Sequence, residues 1–408
     1  MSSHPFIFGA RGGGSGGGPC PPPSQDWVRP TDWIAIPTLT SSDERIYGVL
    51  AVFENEYNSI AFTITNGSAN VDFGDGSNVN TTGGVQTKVY DYSTLAGAVN
   101  VWPDGRNYKQ VLVDVTRIGG PIVSVDFRVF STVARDSTTN FVDMSASLPS
   151  CTGFPISVAQ GAAAGRTMPL LQRLRVYNLA VGYTAVTNFV RYLYGLRVLE
   201  LPWNRMGSLG ALLATPYHRI DPIGDIVTPA SSLQSGLVNL TAVENIVANS
   251  ATTIQSAFDR GYLSRIISLT ATSCTVATNA FANTFLLTGS VNLVLPALQN
   301  ASIMFAGSSV SEVIFSDCAA VNNTTSIFNL ATNIQNVVMP NLTRGVVFSN
   351  TPMGNDGMSN FANSLGTASG TQNITVTGTP FGQLLAAADA TAVAIAAVIT
   401  GQGFGIIN

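Results

Sequence analysis

A phenylalanine recurs at a nearly constant interval in the second half of this 408-residue chain. Phe258, Phe281, Phe305 and Phe328 are separated by 23, 24 and 23 residues, and a short apolar stretch follows each of them. A single coil of this length cannot bury its apolar side, whereas stacked coils bury a continuous core and align their short strands into a parallel sheet. The period therefore predicts a solenoid in which the phenylalanine fills the interior of each coil.

Two further segments extend the repeat in both directions. Phe189 precedes an apolar stretch at 198–202, and Phe361 precedes another at 374–376. A period of about 20–29 residues with one short strand per repeat is typical of leucine-rich-repeat proteins. We therefore assign residues 165–380 to a leucine-rich-repeat solenoid. Its predicted repeat core contains six phenylalanines: Phe189, Phe258, Phe281, Phe305, Phe328 and Phe361.

Residues 1–37 differ in composition from the rest of the chain. A glycine-rich run at 12–18 is followed by three consecutive prolines at 21–23, a combination of flexible and extended segments. Phosphate binding by the glycines is disfavoured, because no strand precedes them and no Gly-Lys-Ser/Thr motif follows. We interpret the segment as a linker or an attachment arm. The candidate binding residues of such an arm are Trp27, Arg29 and Trp33.

Residues 38–150 predict a β-domain, because segments such as 123–129 alternate between apolar and polar residues. The segment 71–76 resembles the Trp-Asp-Phe-Gly-Asp-Gly signature of PKD-like β-sandwich modules, with Val71 in place of the tryptophan. Asp72 and Asp75 fit an Asp-Gly turn. Calcium usually takes about six to eight oxygen ligands, so we predict no metal site here and keep metal binding by these two aspartates as the open alternative.

The C-terminal residues 381–408 are rich in alanine and predict a short helix or cap. Their longest apolar run, 384–400, contains Asp389. It is also shorter than the roughly 20 residues that a membrane-spanning helix needs. We therefore expect a buried or docking helix and no membrane span.

Charge is scarce along the whole chain, which carries 10% charged residues and a net charge of −4. There are only two lysines and no basic run that would neutralise phosphates, so nucleic-acid binding is not expected. The four cysteines lie far apart and show no CxxC spacing, which favours free thiols in a protein made in a reducing cytoplasm.

The sequence contains no recognisable catalytic motif. Its two histidines are His4 and His218, and its Gly-x-Ser-x-Gly match lies inside the glycine run, without the flanking strand and helix of a nucleophile elbow. The acidic residues of the predicted solenoid share no repeat position, so no carboxylate pair is predicted. We expect a protein that is not an enzyme and has no cofactor. Glycan hydrolysis by acids that converge in space stays open as an alternative.

A cluster of arginines and large aromatics lies between residues 173 and 219. Such residues are enriched at protein-contact hot spots, and they also suit a capping coil that meets the preceding domain. We favour the second interpretation and keep the first. The candidate binding residues of this patch are Arg191, Tyr192, Tyr194, Trp203 and Arg205.

The exits Leu295-Pro296-Ala297-Leu298 and Met339-Pro340-Asn341-Leu342, with the spaced phenylalanines, are similar to BspA-like leucine-rich repeats. The glycine-rich start, the segment 27–33 with its two tryptophans, and the alanine-rich end resemble virion proteins of tailed bacteriophages, especially marine and cyanobacterial phages. This resemblance implies a component of a virus particle. It does not distinguish a tail fibre from a baseplate part or a head decoration.

Together these features predict a mainly β protein with an arm, a β-sandwich-like domain, a solenoid and a C-terminal helix. We expect a structural virion protein that is assembled in the host cytoplasm and forms homo-oligomers. Its expected partners are other virion proteins and a host surface glycan or receptor. A bacterial cell-surface adhesin with the same repeats is the first alternative, and a tailspike glycan depolymerase is the second.

Overall fold

The computed structural model describes residues 28–128, 139–155, 168–184, 193, 195–209, 226–238 and 240–408. The chain is mainly β and contains several sheets, as the sequence predicted. It divides into two compact units. The first unit contains Met1–Ala180 and Tyr192–Leu201, and the second contains Val181–Arg191 and Pro202–Asn408.

Up to residue 200, the described part of the chain forms the following strands: β1 (Arg45–Phe53), β2 (Asn58–Thr65), β3 (Ala69–Asp72), β4 (Asn78–Thr81), β5 (Gly84–Tyr90), β6 (Asn100–Val101), β7 (Asn107–Arg117), β8 (Ser124–Asp126), β9 (Phe141–Ser147), β10 (Arg173–Asn178), β11 (Tyr183–Thr184) and β12 (Val198–Glu200).

A 3-10 turn at Trp203–Arg205 precedes the remaining elements: β13 (Met206–Ser208), β14 (Ile226–Val227), β15 (Asn245–Val247), β16 (Ser268–Thr270), β17 (Ser290–Val294), β18 (Glu312–Phe315), β19 (Asn336–Val338), β20 (Val346–Val347), α1 (Asn355–Ser364), β21 (Gln372–Thr375), α2 (Pro380–Ala386), α3 (Ala390–Gly401) and β22 (Phe404–Ile407).

The first unit contains a large mixed sheet in the order β12-β10-β9-β1-β7-β3-β4, with β6 also paired to β7, and a smaller sheet in the order β5-β2-β8. Aromatic rings connect the two sheets. Phe127 lies 5.2 Å from Phe62 of the small sheet and 6.0 Å from Phe141 of the large one, measured between ring centroids. The large sheet continues past residue 150, the predicted end of the β-domain, because β10 adds in parallel to β9.

The second unit contains a six-stranded parallel sheet whose order, β14 to β19, follows the chain. Its register advances by one repeat per strand, so that Leu269 faces Leu293 and Val313 faces Val337. A second line of parallel bridges joins the same coils elsewhere along their length, at Ser232–Thr253, Thr253–Val276, Val276–Asn300 and Asn300–Asn323. Each of these coils is therefore hydrogen-bonded to the next at two places.

The recurrent phenylalanines lie in one stack inside the second unit. Neighbouring rings are nearly parallel, with centroid distances of 4.9 Å for Phe258–Phe281, 5.1 Å for Phe281–Phe305 and 6.0 Å for Phe305–Phe328. Phe348, which the sequence analysis did not single out, continues the stack at 5.5 Å from Phe328.

The two outer members of the predicted repeat core have different outcomes. Phe361 is buried, but it belongs to α1 and meets Phe348 edge-on at 4.9 Å instead of joining the parallel stack. Its longer interval from Phe328 fits this different place in the coil, because the four regularly spaced rings lie in turns and Phe361 lies in the helix beside β19. Phe189 lies outside the described residues.

Tight turns set the position of each stacked ring. The residue two places before the phenylalanine is left-handed in four coils, at Ser256 (φ 52°), Asn279 (φ 57°), Ile303 (φ 58°) and Ser326 (φ 54°). A side chain in this region strains the backbone, least for Asn and Gly and most for β-branched residues. Ile303 is therefore the strained member of the set.

Replacing Ile303 by Asn is expected to stabilise the second unit by about 1 kcal/mol, because the left-handed backbone costs a β-branched residue roughly that much more. The midpoint of urea unfolding measures the change. Ile303→Ala is the control, since alanine keeps a Cβ in the left-handed region and gives no such gain. Equal midpoints for Ile303→Asn and the unmodified protein would contradict the strain argument.

Helices replace strands at the C-terminal end of the second unit. α1 packs beside β19, α3 packs beside α1, and the short strands β20, β21 and β22 form a separate parallel sheet. Side chains cap the last two helices. Thr379 Oγ1 accepts a hydrogen bond from the Gly382 amide (2.9 Å), and Asp389 Oδ1 accepts one from the Ala392 amide (2.9 Å).

No individual helix in the described part of the chain has the length and apolarity to cross a membrane. α2 and α3 reach that threshold only when taken together, and they are bent by 101° relative to each other.

Candidate interaction surfaces

The segment just after the glycine- and proline-rich run packs on the first unit of its own chain. Trp33 is 5% exposed and packs with Val49, Ala51, Phe53 and Val142 in one hydrophobic cluster. The sequence predicted Trp33 as a binding residue of an attachment arm. Its ring is instead covered by the first unit of its own chain. Trp27 lies outside the described residues.

Arg29 holds the segment around Trp33 on the first unit through an ion pair with the buried carboxylate of Asp143. Its Nε lies 2.7 Å from Asp143 Oδ2, and its guanidinium also donates to the backbone carbonyls of Trp33 (3.2 Å) and Ile34 (2.5 Å). Arg173 approaches the same carboxylate from β10, with Nε 2.9 Å from Asp143 Oδ1. The Asp143 side chain is 0% exposed, so two arginines compensate one buried negative charge.

The arginine and aromatic patch is only partly described. Trp203 is 8% exposed in the second unit, so little of its ring is available to a partner, and Arg205 is half-buried. Arg191, Tyr192 and Tyr194 lie outside the described residues. The described members thus offer no continuous aromatic surface.

The two aspartates of the PKD-like segment are engaged within their turn. Asp72 Oδ1 accepts from the Gly74 amide at 2.8 Å, Asp75 Oδ1 accepts from the Ser77 amide at 3.0 Å, and Asp75 Oδ2 lies 2.6 Å from Lys88 Nζ. Burial acts to raise the pKa of Asp75, but the hydrogen bonds from Lys88 and Ser77 outweigh it and lower the pKa. Within the described residues, no group of three or more His, Cys, Asp or Glu side chains is arranged to hold a metal ion.

The outward face of the six-stranded sheet is a half-buried surface with little charge. Six strands spaced by about 4.8 Å make it roughly 24 Å wide. Glu312 is the one charged side chain among the outward residues of β15 to β19. These outward residues are Asn245, Val247, Ser268, Thr270, Ser290, Asn292, Val294, Glu312, Ile314, Asn336 and Val338.

Hydrogen bonds between polar side chains connect successive coils along this face and its edge, and Asn336 also donates to the Glu312 carboxylate. Ser268 Oγ donates to Asn245 Oδ1 at 2.7 Å, and Asn360 Nδ2 donates to Asn336 Oδ1 at 3.0 Å. The ion pairs among described residues, by contrast, all lie in the first unit: Arg29–Asp143, Arg45–Asp114, Lys88–Asp75, Arg106–Glu56, Arg106–Asp104, Arg117–Glu44, Arg128–Asp126 and Arg173–Asp143. The described part of the second unit thus depends on packing and on hydrogen bonds without a cationic partner, in some of which an Asn amide donates to the carboxylate of Asp259, Glu312 or Asp317.

Three of the four cysteines are buried free thiols. Burial raises the pKa of Cys151 and of Cys274 to about 11, and it raises the pKa of Cys318 as well. Since the thiolate is the reactive form, these side chains are unreactive near neutral pH.

A thiol-specific disulfide reagent at about pH 8 is expected to modify no more than one cysteine in each native chain, because three thiols are buried and protonated there. The same reagent in denaturant should modify all four. Absorbance of the released thiol measures both values. Rapid reaction of a second thiol in the native protein would contradict the burial of Cys151, Cys274 or Cys318.

Most of the side-chain contacts at these surfaces could not be predicted from the sequence. Asp143 lies 114 residues from Arg29 and 30 residues from Arg173, and no local motif marks it as their partner. The outward sheet face was implicit in the repeat, since alternate residues of each predicted strand point away from the core.

Comparison of the chain with protein-family models, curated proteins and solved structures finds no match.

Proposed function

We propose that the chain is a structural component of a bacteriophage virion that acts by presenting a surface rather than by catalysis. In this proposal the second unit is a BspA-like leucine-rich-repeat solenoid. The single observation that carries it is the stack of phenylalanines inside coils that are joined by two parallel ladders. Such stacking produces a long, regular surface for contact with neighbouring proteins or a host receptor.

The chemistry of the second unit suits a particle exposed to an external medium. Salt screens interactions between charges, and it affects packing and neutral hydrogen bonds far less. The ion pairs between described residues are confined to the first unit. A surface built on Asn, Ser, Thr and β-branched residues would therefore keep its structure and its binding properties over a wide range of salt.

Docking on the particle is assigned to the start of the chain. Because Arg29 and Trp33 hold their segment on the first unit, the proposed attachment arm narrows from residues 1–37 to residues 1–27. Its partners would be other virion proteins, and the outward sheet face would meet a host glycan or receptor. The protein would be assembled into the virion in the host cytoplasm.

Immunogold labelling of purified particles with an antibody against the second unit tests the virion proposal. Label on the particles is the expected result, and its place at the tail tip, the baseplate or the head identifies the component. Label on bacterial surfaces with none on particles would overturn the proposal in favour of a cell-surface adhesin.

Deletion of residues 2–27 tests the attachment arm separately. Particles assembled with the shortened protein should lack it, while the purified shortened protein should keep the thermal unfolding midpoint of the full chain, because Arg29 and Trp33 remain. Normal incorporation of the shortened protein would remove the arm from the proposal.

A further inference from the structure

One arginine on the face of the large sheet that carries Asp143 has no carboxylate partner. The register of β9 and β10 places Arg173 opposite Asp143 and Arg175 opposite Ser145. Asp143 is already shared by Arg173 and Arg29. Arg175 is half-buried, and its Nε is buried without a hydrogen-bond partner in the described part of the chain. The positive charge of Arg175 is therefore not compensated by a neighbouring side chain.

Two buried hydroxyl groups lie beside this arginine. Ser145 and Ser147 project from β9 on the same side as Asp143, because alternate residues of a strand share a face. Both serines are 0% exposed, and neither Oγ has a hydrogen-bond partner among the described residues. Adjacent strands lie about 4.8 Å apart and alternate residues of a strand about 6.6 Å apart. Three unpartnered donors, the Arg175 Nε and the two hydroxyls, thus come from neighbouring positions.

Two tyrosines flank the group. Tyr47, the β1 register partner of Ser145, is 5% exposed, and the Arg175 guanidinium lies 5.7 Å from the centre of the Tyr177 ring. Arg45, on the same face of β1 as Tyr47, is engaged with Asp114. Aromatic neighbours and burial keep water away, which strengthens the attraction between the free guanidinium and any negative charge.

The donors favour an anion over water and over a protein carboxylate. Water would satisfy the hydroxyls but leave the charge of Arg175 unpaired, and buried charges in proteins are normally paired. Glu200 faces Arg175 in the register of β12, but it is exposed and makes no ion pair with Arg175 among the described contacts. One uncompensated positive charge calls for one negative charge, so a monovalent ion fits better than sulfate or phosphate.

We propose that Arg175, Ser145 and Ser147 form a buried binding site for one small monovalent anion, with chloride as the ligand. The Arg175 Nε–H and the two serine hydroxyls donate hydrogen bonds to the ion, which joins β9 to β10 and compensates the charge of the arginine. Because both serines are fully buried, the ion is taken up as the first unit folds. The inference rests on contacts within this unit and does not depend on the proposed virion role.

Thermal unfolding of the full chain, followed by tryptophan fluorescence, tests the site. Midpoints are measured in sodium chloride and in sodium gluconate at equal ionic strength, since gluconate is too large to be enclosed. An ion that binds the folded state alone stabilises it, so the chloride-minus-gluconate difference should fall by about 3 °C in Arg175→Gln and in Ser145→Ala. The same difference in the unmodified protein and both variants would overturn the proposal.

Glu200→Gln is the control for the carboxylate that faces Arg175 across the strand pair. This variant should keep the full chloride-minus-gluconate difference of the unmodified protein, because the ion and not Glu200 compensates the arginine. A chloride-dependent difference that appears only after Glu200→Gln would show that Glu200 is the natural partner of Arg175, and the anion site would be refuted.

Anomalous diffraction from crystals grown in sodium bromide locates the ion directly. A bromide peak within hydrogen-bond distance of Arg175 Nε and Ser145 Oγ is the expected result, and its absence would contradict the site. A peak at this place, combined with an Arg175→Gln midpoint difference equal to that of the unmodified protein, would identify an adventitious ion only and would equally reject the proposal.

Discussion

Replacing Asp143 by Ala is expected to destabilise the first unit by about 3–5 kcal/mol, since removing one member of a buried ion pair leaves an uncompensated charge. The carboxylate is 0% exposed and receives Arg29 and Arg173 together. Its loss leaves both guanidinium groups without their partner, and the Arg29 group also orders the backbone around Trp33. The midpoint and slope of urea unfolding, followed by tryptophan fluorescence, measure the change.

Asp104→Ala is the matched control for this experiment. Asp104 also pairs with an arginine, with Arg106 Nη2 at 2.7 Å, but its side chain is 49% exposed. Exposed pairs contribute about 0–1 kcal/mol, so this variant should unfold almost as the unmodified protein does. A loss of unfolding free energy from Asp143→Ala that is as small as the loss from Asp104→Ala would show that Asp143 does not hold the unit together.

Replacing Phe281 by Ala is expected to destabilise the second unit by about 3–5 kcal/mol, the usual cost of removing a buried aromatic ring. Phe281 lies between two parallel rings, at 4.9 Å from Phe258 and 5.1 Å from Phe305, and its side chain is fully buried. The cavity would therefore interrupt the stack in the middle, where neighbouring coils cannot close it without breaking their ladder hydrogen bonds. Urea unfolding followed by circular dichroism measures the loss.

Phe285→Ala provides the control, only four residues along the chain. Phe285 is 66% exposed, so truncation removes the same atoms without opening a cavity. Surface substitutions of this kind usually change stability by less than about 0.5 kcal/mol. A comparable loss from Phe285→Ala, or a negligible loss from Phe281→Ala, would contradict the role of the stack in the stability of this unit.

The stacked phenylalanines show where sequence reasoning succeeds. Their spacing is a local property, because each coil closes over about the same number of residues and brings its ring to the same place. The spacing did not predict Phe348 as a member of the stack, because it follows Phe328 after 20 residues, a shorter interval than the others. Phe361 matched the frame of a phenylalanine followed by a short strand, and β21 does follow it, but Phe361 itself lies in α1 beside β19 and outside the parallel stack. Packing, and not spacing, decides that this part of the chain is a helix.

The first unit shows where such reasoning stops. Alternation along residues 123–129 predicted a strand where β8 lies, yet it gave no strand order and did not place β10 next to β9. The burial of Trp33 was equally hidden, because a tryptophan after a flexible run suits an arm and a core alike. These choices depend on contacts between distant parts of the chain.

The sequence by itself determined that this protein is mainly β, that its second half repeats with a regularly spaced phenylalanine, and that charged residues are scarce along the chain. Those properties follow from composition and period, which act within one coil at a time. Only the tertiary structure decided that Asp143 joins Arg29 to Arg173 and that α1 ends the six-stranded sheet. Each of these depends on which distant segments meet, and that is set by the packing of the whole unit.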